Sequence, residues 1–358
     1  MKKNINLTLK ATLPSITAVI AGLVLGWLLL FITNPVNSFG GLLTILTGGL
    51  TDGVGGIGNW LYAATPILMT GMAVGFSIKT GLFNIGASGQ FTVGAFVAIY
   101  VGCTFTFLPP VIHSAVAILS GMIAGAFWGY ISGAMKAYFK INEVISGIML
   151  NYIAMLLVNL LVKKSIYNES LNRSSDVADS AMLRADLFDF ILPGSKISIA
   201  FFIAVAAVLV IKFVLDKTTL GYELKITGKN PFASVYSGMK STKNTIIAMS
   251  ISGALAGLGG ALMFLCDFGD HILVAENVLQ QGFTGISVAL LGMSNPVGII
   301  AAALFIAHIT IGGNYLQLYG YTPDVVNMII AIIIFCGALV LPLRAILDRI
   351  FKKTEVQA

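Results

Sequence analysis

The sequence predicts an all-α membrane protein, a polytopic bundle of about ten transmembrane helices with both termini on the cytoplasmic side. Three observations carry this. Of the 358 residues, 57 % are apolar and only 10 % charged, and mean hydropathy is +0.92. Soluble domains carry about 25 % charged residues, so a chain this poor in charge has too few polar groups to cover a water-facing surface. The apolar residues also fall in runs near the ~20 residues that cross a hydrocarbon core, and the basic residues are sorted between alternate loops.

Taken in order, the first run covers 11–33. It follows Met1-Lys2-Lys3, which looks like the start of a signal peptide. The run is longer than a signal core and no small-x-small site ends it, so it is expected to remain as a spanning helix. The stretch 41–50 is apolar but Gly-rich and short, and is expected to be a surface or interfacial segment. Further runs cover 61–78, 81–102, 111–135, 143–162, 197–215, 244–266, 278–293, 296–313 and 325–342. The run at 278–293 is short enough to be re-entrant or to consist of half-helices. Gly121, Gly125, Gly129 and Gly133 recur every four residues, and Gly22/Gly26, Gly71/Gly75 and Gly253/Gly257 repeat the spacing. Such stripes let two backbones approach closely in lipid, within one bundle or between subunits.

With the N-terminus inside, ten spans place Lys163, Lys164, Arg173, Arg184 and Lys196 outside and the remainder of the 21 Lys and Arg inside. That bias fits the positive-inside rule. Two hydrophilic segments result: 163–196 outside and 216–243 inside. No separate soluble domain interrupts the chain, so 1–358 is expected to form a single membrane domain.

The net charge of +6 does not point to nucleic acid, because the charges sit between apolar runs and form no stripe. Cys103, Cys266 and Cys336 have no paired spacing and suggest neither a disulfide framework nor a metal site. Gly53-Val54-Gly55-Gly56-Ile57-Gly58 fits G-x-G-x-x-G but follows no strand, and Gly221–Asn230 lacks P-loop spacing and the Mg²⁺-binding Ser/Thr. The chain is therefore expected to hold no ATPase site, no cofactor and no catalytic residue. Ionisable groups within the runs are few. A buried charge in a membrane is usually functional, but His308, His113 and Glu143 are each read more modestly as a hydrogen-bonded bundle residue or a helix start, and no convincing mid-membrane carboxylate suggests ion coupling.

Gly81-Leu82-Phe83-Asn84-Ile85-Gly86-Ala87-Ser88-Gly89-Gln90 is unusually polar for a span. Its amides must face protein or a water-filled path. Asn84, Gln90, Asn151 and Ser287, with Phe83 beside them, are the candidates for lining such a path. The alternative is polar glue between helices. In the inner segment, Asn230 suits an N-cap, Pro231 a first helical position and Gly238 a C-terminal stop. Phe232 and Tyr236 lie four apart, on one face of that short helix.

These motifs, GLFNIGASGQ at 81–90, NEVISGIMLNYIA at 142–154, GYELKITGKNPFASVYSGM at 221–239 and GFTGISVALLGMSNPVG at 282–298, resemble permeases of the branched-chain amino acid, simple-sugar and nucleoside importers. The likeness runs from about Leu61 onward, and is strongest to the larger permease of bacterial nucleoside importers that use basic-membrane-protein-type binding lipoproteins. Ser88 and Met293 depart from the acidic and Arg residues common at those positions. The resemblance implies a permease in the bacterial cytoplasmic membrane that works by alternating access. Its partners would be an ATP-binding-cassette ATPase, single or tandem, which holds ATP and Mg²⁺, a second permease, and an extracytoplasmic binding lipoprotein. It also implies that Asn230–Gly238, with Gly221 and Ala233 in the same motif, is the element coupled to the ATPase. Simple-sugar or branched-chain amino acid cargo, or an ion-coupled carrier, are the rival readings.

Overall fold

In lipid a backbone N–H finds no water, so each spanning segment must close its own hydrogen bonds. The computed structural model shows how this chain does so; it describes residues 2–51, 53–183, 198–266, 271–340 and 342–343. Helices α1 (Lys2–Thr33), α2 (Ser38–Thr47), α3 (Gly53–Lys79), α4 (Ala87–Thr104), α5 (Pro110–Phe139) and α6 (Glu143–Ser165) come first. They are followed by α7 (Ile199–Lys217), α8 (Thr219–Lys229), α9 (Pro231–Tyr236), α10 (Ser241–Phe264), α11 (Gln281–Leu291), α12 (Pro296–Asn314) and α13 (Pro323–Ala338). A two-stranded ribbon, β1 (Tyr167–Asn168) and β2 (Arg173–Ser174), lies between α6 and α7. The chain is thus an all-α polytopic membrane protein. Among the described residues, eight helices are long and apolar enough to cross a membrane.

The remaining two of the ten expected runs are shorter helices. The run at 278–293 narrows to the 11-residue α11, roughly 16 Å long and about half of a ~30 Å hydrocarbon core. Glu276, Asn277 and Gln280 precede it and leave the backbone irregular. The run at 325–342 gives the 16-residue α13. The run at 81–102 starts late: residues 80–86 are not helical, and α4 begins at Ala87. Gly81 takes φ +74° there, which no right-handed helix contains. The stretch 41–50 forms α2 and a 3₁₀ turn, Gly48–Leu50, docked on α12 through His308, whose Nδ1 accepts from Gly49 N–H at 3.3 Å.

The glycine stripes pack inside the bundle. A Cβ on Gly125 would come within 2.6 Å of Gly257 Cα, and one on Gly257 within 2.8 Å of Gly125 Cα. Gly94 of α4 sits on the same crossing, where its Cβ would lie 2.9 Å from the Gly121 carbonyl oxygen. Helices α4, α5 and α10 therefore meet backbone to backbone. Gly22 and Gly26 instead make room on α1 for Ile333 of α13, and Gly71 and Gly75 on α3 for the side chains of Val288 and Ile299.

The alternating spans give the bundle two ends. Thr80, Lys136, Thr227 and Asn244 line one small cavity, so α8 and α9 share an end with the end of α3 and the start of α10. Asn159, Lys163, Asn172 and Val274 line another, at the opposite end. The ribbon is stitched down there: Ser174 N–H donates to Ile272 O at 2.9 Å, and the buried His113 bridges Ser180 Oγ (2.8 Å) and Val101 O (3.0 Å). The rest of the 163–196 segment, with Arg184 and Lys196, lies outside the described residues, as do Arg344, Arg349, Lys352 and Lys353.

The two ends make a labelling prediction. In a background lacking Cys103, a cysteine at the exposed Ser170 should react with an impermeant thiol reagent in intact cells. One at the exposed Ser237 should react only after permeabilisation. The opposite pattern would invert the orientation drawn from the charges.

Candidate functional site

The break between α3 and α4 is held by side chains where the backbone ladder stops. Leu82 N–H donates to Ser77 O at 2.9 Å, and Asn84 N–H to Ser77 Oγ at 3.3 Å. Asn84 is fully buried. Its Nδ2 donates to Gln90 Oε1 and to Ser252 Oγ, both at 2.7 Å, and its Oδ1 accepts from Gln90 Nε2 at 3.2 Å. Ser252 Oγ donates onward to Ala73 O at 2.7 Å. One amide pair thus ties the break to α4, α10 and α3.

Asn151 serves the same segment from α6. Its Oδ1 accepts from Gly89 N–H at 2.7 Å and its Nδ2 donates to Ile85 O at 3.1 Å. The free N–H in the first turn of α4 and a carbonyl in the break both find a partner in this way. From the other side, Ser88 Oγ donates to Leu279 O, and Thr70 Oγ1 to Gln281 O at 2.8 Å, which fixes the start of α11.

Of the five path candidates, Asn84 and Gln90 are therefore bonded to each other, and Asn151 is one residue away through Gly89. All three are buried with protein partners. Phe83 and Ser287 are half-buried and stand outside this knot, Ser287 on α11. Sequence reasoning did not single out Ser77, Ser252 or Thr70; a serine within the glycine stripe of α10 was the only signal for Ser252.

At the other candidate surface, Thr218 caps α8 by accepting from Gly221 N–H at 3.1 Å, and Gly221 is pressed against Leu215, where its Cβ would come within 2.7 Å of Leu215 Cα. Asn230 then has two tasks. Its N–H closes α8 on Ile226 O at 3.0 Å, while its Oδ1 accepts from Ala233 N–H at 3.0 Å to open α9. Pro231 takes the first helical position. Gly238 ends the turn at φ +79°, donating to Val235 O at 2.9 Å. Within α9, Ser234 is buried, while Phe232 is 81 % and Tyr236 94 % exposed. Both rings thus stand clear of the rest of the protein on a helix capped at each end. Beside them runs a cleft of about 640 Å³ bordered by Tyr222, Glu223, Lys240 and Lys243. Lys225 pairs with Asp216 at 3.8 Å; Lys229 and Lys240 are exposed.

Asn84→Leu should destabilise the protein, because it leaves Ser252 and Gln90 short of a buried partner at ~1–3 kcal/mol each. The thermal unfolding midpoint in detergent should fall clearly below wild type. An unchanged midpoint would mean that these bonds carry no stability.

The site can be set beside known proteins. NupP of Bacillus subtilis, a guanosine ABC transporter permease, is 34 % identical over 95 % of this chain and 97 % of its own length. NupB of Lactococcus lactis, a nucleoside ABC transporter permease, is 31 % identical over 92 % of this chain and 91 % of its own. TsgB13 of Haloferax volcanii, a glucose ABC transporter permease, is 31 % identical over 89 % and 85 %. No solved structure matches the chain. Residues 56–338, which contain both the amide knot and the capped helix, match the model of the branched-chain amino acid transport system / permease component family. The chain belongs to that family: it is a multi-pass permease subunit of the cell membrane.

Proposed function

We propose that this chain is the larger permease of a nucleoside importer, and that it moves its cargo by alternating access with energy supplied by a partner ATPase. The observation that carries the cargo is the near full-length similarity to guanosine and nucleoside permeases. The chemistry agrees: nucleosides present ring edges and hydroxyls, which neutral amides and an aromatic ring recognise without charge. Phe83 and Ser287, which keep open surface, are the proposed contacts. Asn84, Gln90 and Asn151 hold the segment that presents Phe83. A sugar cargo is the second reading, favoured by the glucose permease relative.

The chain forms one permease domain in this proposal and brings no ATP site or cofactor of its own; ATP and Mg²⁺ belong to the partner ATPase. Phe232 and Tyr236 seat in a groove of that ATPase, with Lys229 and Lys240 at its rim. The 163–196 segment meets the binding lipoprotein at the outer end, where Arg173 is paired with Asp176 at 2.9 Å. A second, different permease completes the importer, in keeping with two guanosine permeases of one Bacillus, NupP and NupQ, that are both similar to this chain.

Two experiments test these points. Labelled guanosine uptake should fall when excess unlabelled nucleoside is added and stay unchanged with excess glucose; the reverse competition would assign a sugar. Ala233 is exposed on α9, so Ala233→Asp should leave membrane insertion intact while the partner ATPase no longer co-purifies. Normal assembly with nucleoside-stimulated ATP hydrolysis would move the coupling surface elsewhere.

A further inference from the structure

The α8–α9 unit meets the break at 80–86 through two glycines. A Cβ built on Gly81 would overlap the Gly228 backbone, and one built on Gly228 would overlap the carbonyl of Thr80 and the nitrogen of Gly81. Gly81 also requires φ +74°. The two main chains therefore touch directly. Where side chains separate two elements, a push is partly absorbed by rotamer changes. Here there is none to turn.

Each glycine is built into a hydrogen-bonded unit. Gly228 sits one residue before the end of α8, and Asn230, which closes α8, also caps α9. A displacement of α9 therefore carries Gly228 with it. Thr227 next to it accepts from Asn244 Nδ2 of α10 at 3.0 Å. Gly81 lies in the turn closed by Leu82 N–H on Ser77 O, three residues before Asn84 and its bonds to Gln90 and Ser252. Chain continuity alone would deliver movement of α9 to α7 and α10. The glycine contact adds α3 and α4, which are distant in sequence.

We infer that the Gly81–Gly228 contact is where movement of the docked α9 enters the segment carrying Phe83 and Asn84, and that both glycines are positioning residues for transport. The inference rests on α9 being the ATPase contact. It requires that the tip of α8 and the break travel as one body.

The test uses the complete importer in liposomes: this chain, its partner ATPase, the second permease and the lipoprotein. Guanosine moved per ATP hydrolysed is measured. Gly228→Ala forces the two backbones apart, so hydrolysis should persist while transport per ATP falls by about tenfold, a loss of ~1.4 kcal/mol of coupling. An unchanged ratio would overturn the inference. If that variant fails to assemble, cysteines at Thr80 and Thr227, which are buried and line the same cavity of about 130 Å³, can be joined directly as a disulfide by a small oxidant. A unit that moves as one body should transport as well after joining as before it. Loss of transport on joining would show that the surfaces slide, and would also overturn the inference. Ala233→Asp separates this from the docking reading: that variant acts on ATPase binding, whereas Gly228→Ala leaves binding in place.

Discussion

The close approach of α4, α5 and α10 at their glycines is the constraint on which the rest of the structure depends. Lipid tails are as apolar as leucine, so burying one side chain against another in a membrane yields no hydrophobic gain. Association comes from tight packing and from hydrogen bonds between helices. Gly94, Gly121, Gly125, Gly253 and Gly257 supply the packing, with main chains in contact and no side chains between. Once α4 is fixed on this seam, its first turn lies next to Ser252 of α10, and the break before it can be closed by Asn84 and Gln90. Asn151 then draws α6 to the same point through Gly89 and Ile85. The polar knot is thus a product of the glycine seam, and a bulkier residue in the seam would displace both.

The helices were legible in the sequence because each long apolar run meets a single physical demand, the thickness of a bilayer. The cap of the short inner helix was legible too: Asn230 accepts from Ala233 N–H at 3.0 Å. The break at 80–86 was not legible, since Leu82, Phe83 and Ile85 are as apolar as any helix would need, and only the backbone angle of Gly81 betrays the turn. The polarity of Asn84, Gln90 and Asn151 showed that they face protein or a path, but could not show which, because Ser252 lies 168 positions from Asn84. The contact between Gly81 and Gly228 left even less trace. A glycine carries no polarity or periodicity to betray its partner.

The histidines and the ion pairs complete a consistent picture. His308 holds the 3₁₀ turn after α2, with Nε2 2.9 Å from Leu46 O, and His113 holds the stretch around Ser180. Lys136 pairs with Glu143 where α5 passes into α6, at the end of the bundle that also carries α8. These groups tie elements together. None forms the chain of mid-membrane carboxylates that moves protons or sodium in a coupled carrier. In the proposed importer, energy enters through a contact that differs between conformations, and the exposed rings of α9 are the proposed contact. The decisive measurement is guanosine accumulation by the reconstituted importer under two energy sources. ATP inside the vesicles should drive accumulation even after ionophores collapse every ion gradient, and an ATPase partner unable to hydrolyse should abolish it. Accumulation driven by a proton or sodium gradient without ATP would contradict the account.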